Sequence, residues 1–194
     1  LGIHRYRLVT GTWQLTTPPL YAYWAPLNWE RWDVDGYIVQ VTSPADLESV
    51  RRRALPTVNV SGRLTETSLA TVRPDDEAVG RLAAEHFLDR GFRHFGYLAC
   101  ADMNFSALRG RGFCARLEEA GFPCDVCEVE VQEALEDRAR WLAALPKPAG
   151  LLVFNDGYAS GILRICRDIG IAVPEQLAVL GVDDDEMFRN LGQP

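Results

Sequence analysis

No run of apolar residues in this chain reaches the roughly 18 that a membrane-spanning helix needs, and no signal-peptide pattern opens it. The sequence therefore predicts no membrane partner and a cytoplasmic setting. Catalytic signatures are missing as well. There is no G-x-S-x-G elbow, no G-x-G-x-x-G and no P-loop. Gly110-Arg111-Gly112 has neither the preceding strand nor the further glycine that a dinucleotide site requires. Ser160 and Gly161 fall inside an expected helix, a poor place for an activated nucleophile. His4, His86 and His94 show no metal-ligand spacing. The expectation is a protein that is not an enzyme, with no catalytic residue, no metal and no cofactor.

Positive charge is also scarce. The formal net charge is −7, and the longest basic run is Arg51-Arg52-Arg53, expected at the solvated end of a helix. Nucleic-acid-binding domains carry a basic face, because phosphate contacts supply most of their affinity. This span is not expected to grip DNA by itself. Cysteines number five, and an odd count without a secretion signal points to reduced thiols. Cys124 and Cys127 form a C-x-x-C, but the stretch 122–129 reads as a strand. Residues three apart on a strand point to opposite faces, so plain packing is expected there rather than a redox or zinc motif.

What is present is an alternation of strands and helices. With 194 residues, 47% of them hydrophobic, the chain can bury a substantial core as one domain or two small lobes. The opening residues read as helix, and 12–16 as a strand. Pro18, Pro19 and Pro26 break the aromatic-rich stretch that follows. Strands are expected at 36–41, 55–60, 70–73, 94–100, 125–131, 150–154 and 177–182. Helices are expected at 43–53, 105–120, 133–145 and 156–169, and from Asp75 or Asp76 to about Arg90. Gly91, Gly121 and Gly170 stand where left-handed residues end helices. Such alternation predicts βαβ units and parallel sheets covered on both faces.

Parallel α/β sheets bind ligands at the carboxyl ends of their strands. Asp75 and Asp76 follow the strand at 70–73. Phe105, Arg109 and Arg111 follow the one at 94–100. Asn155 and Asp156 follow 150–154, and Asp183, Asp184 and Asp185 follow 177–182. Carboxylates and amide oxygens accept from hydroxyls, while a guanidinium donates to them, so the set suits a polyol. Each member has a plainer reading as well. An aspartate after a strand is an ordinary helix cap, either arginine can be solvated, and 183–185 can be a solvated acidic turn. A metal site there is set aside, because no further oxygen ligands stand at loop spacing.

The same residues resemble a known family. The stretch 75–92 is similar to the D-N-x-x-A-G-x-x-A-x-x-H-L-x-x-x-G-H pattern of lactose-repressor-type sensor domains. Arg109-Gly110-Arg111-Gly112-Phe113 looks like their R-x-x-G-F, and 154–161 like their x-N-D-x-x-A-x-G. The stretch 173–184, VPEQLAVLGVDD, matches their V-P-x-D-[IVL]-x-[VI]-x-G-[FVY]-D-[DN]. Order and spacing agree from 70 to 186. Within that group the chain resembles xylose operon regulators, on 162–167, 171–174 and 181–186.

The resemblance implies a periplasmic-binding-protein-like α/β fold of type I, truncated at both ends, with two lobes, each a parallel sheet flanked by helices. Residues 1–92 would form the N-terminal lobe with its first strand missing. Residues 93–185 would form the C-terminal lobe, and 186–194 the start of a crossover back. It implies a sugar effector, with xylose or another pentose foremost, and a homodimer. Operator DNA would be bound by a helix-turn-helix domain outside this chain. Carried over by position, Asp75, Arg109, Asn155 and Asp183 would contact sugar hydroxyls. Phe105 would offer an apolar face to sugar C–H groups, with a core role at the helix start as its other reading. Asp156 would cap its helix. The pattern has Asn where Asp76 and Asp184 stand, and His where Phe92 stands. The chain opens on Leu1 with a helix under way, which reads as a piece of a longer protein, a processed mature form being the alternative. Two rival functions remain: a sugar-binding protein that feeds a transporter, and an α/β enzyme whose catalytic group is not visible.

Overall fold

A computed structural model describes residues 2–17, 33–130 and 138–185. The chain begins with α1 (Gly2–Thr10) and continues through β1 (Tyr37–Val39), α2 (Pro44–Arg53), β2 (Thr57–Asn59) and β3 (Ala70–Thr71). It then runs through α3 (Asp76–Asp89), β4 (His94–Cys100), α4 (Asn104–Glu119) and β5 (Asp125–Val129). It ends with α5 (Ala139–Ala144), β6 (Ala149–Val153), α6 (Asp156–Asp168) and β7 (Leu177–Leu180). Every strand pairing is parallel, in two sheets ordered β1-β2-β3 and β5-β4-β6-β7. This is the α/β architecture of parallel sheets flanked by helices that the sequence predicts.

Local chemistry explains most boundaries. Ser43 caps α2 in a reciprocal capping box with Asp46. Asp75 caps α3 and Asn155 caps α6, each accepting from a backbone N–H three residues on. Gly91, Gly121 and Gly170 take left-handed φ values of +81°, +82° and +74° just past helix ends, as expected. Strand β6 is buried along its whole length, as a central strand covered on both faces must be.

The second sheet holds the core. Tyr97, Leu98, Phe113, Leu151, Leu152 and Phe154 are fully buried in one cluster. Strand β4 sits between β5, which follows it, and β6, which comes later. Right-handed crossovers then place α4 on one face and α5 and α6 on the other. The order in which strands are added reverses between β4 and β6, which is where such sheets open a crevice at their carboxyl ends.

Two expectations are corrected. Residues 12–16 form no strand; a strand needs a ladder partner, and instead Trp13 packs its ring 5.2 Å from Tyr6. Helix α3 lies on α4, and Phe87 meets Phe113 edge-on at 6.3 Å within the core of the second sheet. Asp156 does not cap α6; Asn155 does. The expected helix at 133–145 is seen as α5 alone, since 131–137 lie outside the described residues, as do 18–32 and the crossover at 186–194.

Candidate functional site

Arg109 organises the carboxyl edge of the second sheet. It lies on the second turn of α4, and α4 comes unusually close to α3. A Cβ on Gly80 would collide with the Arg109 carbonyl, and one on Gly112 with the Glu77 carbonyl. That close approach buries the Arg109 side chain to 7% exposure beside Asp76 at 1%. Its Nε donates to Asp76 Oδ1 at 2.9 Å, and its Nη1 to the Phe154 carbonyl at 2.5 Å. The Phe154 carbonyl stands at the end of β6, so Arg109 spans the crevice between β4 and β6. Its Nη2 lies 3.7 Å from Asp183 Oδ1, and its guanidinium sits 4.8 Å from the centre of the Phe105 ring.

Asp183 reaches this point from the end of β7. The turn is held in an unusual backbone conformation, with φ of +115° at Asp183 and +54° at Asp184. Asp156 stabilises it: its Oδ2 accepts from the Asp185 N–H at 2.8 Å, while its own N–H donates to the Val182 carbonyl at 3.0 Å. Burial pushes the Asp183 carboxyl above its ordinary pKa, and Asp156, Asp185 and Asp76 push the same way against the pull of Arg109. The Asp183 side chain is nevertheless 53% exposed, so it faces water while Arg109 and Asp76 do not.

Asp76 has an oxygen to spare. Its Oδ2 is buried without a hydrogen-bond partner among the described residues. The loop after β2 closes over it: a Cβ on Gly62 would lie 3.5 Å from this oxygen and 3.5 Å from Phe105 Cβ. The same loop accepts a hydrogen bond from Asn104 N–H on the Arg63 carbonyl at 3.2 Å. Residues of the loop between β2 and β3 therefore meet the start of α4 at this site.

The structure brings Arg109, Asp183 and Phe105 together. Asn155 stands nearby at the start of α6, its Oδ1 held by the Tyr158 N–H at 2.9 Å. Asp75 is not part of the group. It is exposed, and its carboxylate accepts from the Ala78 N–H at 3.0 Å as the cap of α3. One residue on, a helix has turned by about 100°, and Asp76 rather than Asp75 faces Arg109. Sequence reasoning missed this, although a signal exists. Asp76 begins the buried stripe of Gly80, Ala83, Ala84 and Phe87 at helical spacing. Arg111 points elsewhere and pairs with Glu77 on an exposed face. Among the described residues, no group of three or more His, Cys, Asp or Glu is placed to hold a metal ion. No described helix is long and apolar enough to cross a membrane.

Known proteins share this arrangement of elements. The xylose operon regulatory protein of Haemophilus influenzae is 27% identical over 173 residues, 82% of this chain and 45% of the relative. The solved structure of the xylose-binding transcription activator xylR superposes with a TM-score of 0.81 at 23% identity, over 97% of this chain and 50% of the other. A periplasmic binding protein/LacI transcriptional regulator from Alkaliphilus metalliredigens, complexed with D-xylulofuranose, matches with a TM-score of 0.65 at 19% identity. That match covers 79% of this chain and 58% of the other. The chain thus spans about half the length of the proteins it matches. Residues 84–194 match the periplasmic binding protein-like domain, and the chain belongs to that family.

Proposed function

We propose that this chain is the ligand-sensing part of a bacterial sugar-responsive transcription regulator, and that it binds a pentose, D-xylose foremost, at the Arg109 site. The observation that carries the reading is the state of the polar groups there. Arg109 has five N–H donors. Two of them are committed, to Asp76 and to the Phe154 carbonyl. The others, the half-exposed Asp183 carboxylate and the buried Asp76 Oδ2 remain to meet vicinal hydroxyls. A sugar offers such donors and acceptors together, and its C–H face suits the Phe105 ring. Xylose appears in the names of the Haemophilus relative and of the xylR structure, which supports the choice of pentose.

In this reading, binding favours a closed arrangement of the two sheets, and only a difference in affinity between open and closed forms can drive the change. Closure would act on operator DNA through a helix-turn-helix domain outside this chain, in a homodimer. The test is calorimetric titration with D-xylose, D-ribose, L-arabinose and D-glucose, with tryptophan fluorescence followed alongside. A saturable response to a pentose is expected, and silence towards all four sugars would overturn the proposal. Arg109→Ala and Asp183→Ala should each weaken binding at least tenfold, since a hydrogen bond to a charged group contributes ~1.5–3 kcal/mol. Parental affinity in both variants would rule out the site.

A further inference from the structure

Cys114 and Cys124 lie apart from the Arg109 site, one on α4 and the other on the approach to β5. A local chain reversal brings them together. Helix α4 ends at Glu119, Gly121 takes a left-handed φ of +82°, and the Phe122 N–H returns to the Leu117 carbonyl at 3.0 Å. From that anchor the helix runs back three residues to Cys114, while the extended chain runs on two residues to Cys124. Helix and strand rise about 1.5 and about 3.3 Å per residue. The two steps are about 4.5 and about 6.6 Å, and both cysteines come to the wall of one groove. Both thiols are free, and the two side chains line one groove. Each is half-buried at the wall of a groove of about 550 Å³, lined also by Gly121, Phe122 and Pro123 and open to solvent.

We propose that Cys114 and Cys124 form a redox-modified dithiol, closed to a disulfide by hydrogen peroxide entering through this groove. The Cys114 thiolate attacks one peroxide oxygen and the O–O bond breaks. Cys114 becomes a sulfenic acid, and the departing hydroxide takes up a proton to leave as water. The Cys124 sulfur then attacks the Cys114 sulfur, the S–O bond breaks, and a second water leaves with the Cys124 proton. The two sulfurs lose two electrons in total, and the peroxide gains them.

The surroundings agree with that order. Contact with the Cys124 side chain pulls the Cys114 thiol below its ordinary pKa, although burial opposes this. Contact with Cys114, together with burial, pushes the Cys124 thiol up. In the proposed order Cys114 attacks and Cys124 resolves. Cys100 and Cys166 are buried, and burial raises both thiols. Cys127 lies within β5 opposite Leu98, three residues beyond Cys124.

The experiment treats the reduced chain with a few equivalents of hydrogen peroxide, then denatures it, counts thiols and maps tryptic peptides. Two of the five thiols should disappear and return with dithiothreitol. Cleavage after Arg111 and Arg116 isolates Cys114, and the peptide bearing it should be linked to the one bearing Cys124. Cys124 and Cys127 share that second peptide, so variants separate them. Cys127→Ser should still form the link and Cys124→Ser should not. The proposal is overturned if the parent forms no intramolecular link to Cys114, or if Cys124→Ser forms it as readily as the parent.

Discussion

At the scale of residues, Asp75 and Asp76 are neighbours in sequence with unlike environments. Asp75 is exposed and spends its carboxylate on the α3 cap. Asp76 is buried against Arg109. Asp75→Ala should therefore cost about 1 kcal/mol, the usual loss of an N-cap, and leave sugar affinity unchanged. Asp76→Ala strands a buried guanidinium, and breaking one side of such a pair costs about 3–5 kcal/mol. Urea denaturation of the two variants checks the contrast. Equal losses would mean that Asp76 is not the inward partner. The two residues were not separable from sequence, because capping chemistry suits both. Only the α4 packing surface decides which of them is enclosed.

At the scale of elements, the α3–α4 contact holds the site. Gly80 and Gly112 let the two backbones approach until a side chain at either position would overlap a carbonyl of the other helix. An exposed ion pair, Arg81 with Glu119, and a part-buried one, Arg116 with Glu85 at 3.3 Å, flank the contact, and the exposed pair adds little. Gly112→Ala should push α4 away from α3 and draw Arg109 off Asp76. Overpacking of this kind costs ~1–3 kcal/mol. The variant should lose both stability and sugar affinity, read by denaturation and by titration. A variant as stable as the parent would show that the helices part without cost. The helices themselves were legible in the sequence, from apolar spacing, caps and terminal glycines. Their mutual contact was not, and for that reason α3 was expected with the first lobe.

At the scale of the whole molecule, stability is unevenly spread. The first sheet has strands of 3, 3 and 2 residues. The second has strands of 7, 5, 5 and 4, and every member of the large buried cluster lies between Ala83 and Leu177. Hydrophobic stabilisation follows buried apolar area, so the second sheet should survive excursions that open the first. Native-state hydrogen exchange checks this. Amides of β4 and β6 should be the slowest, and those of β1 to β3 faster by orders of magnitude. Uniform protection across both sheets would contradict the expectation. Under the proposed sugar-binding role, a rigid second sheet would present Arg109 while the loop after β2 adjusts over it.

The amino-acid sequence by itself determined the order of elements, the helix ends, the parallel class of both sheets and the strand ends that carry polar groups. Those features depend on short-range periodicity, capping and turn chemistry, which neighbouring residues supply. Tertiary structure decided the rest. It left residues 12–16 without a strand partner, seated α3 on the second sheet, turned Asp76 inward and placed Cys114 beside Cys124 rather than pairing the C-x-x-C. Each outcome depends on which distant surfaces meet, and the free energy of such contacts exists only once the chain has packed.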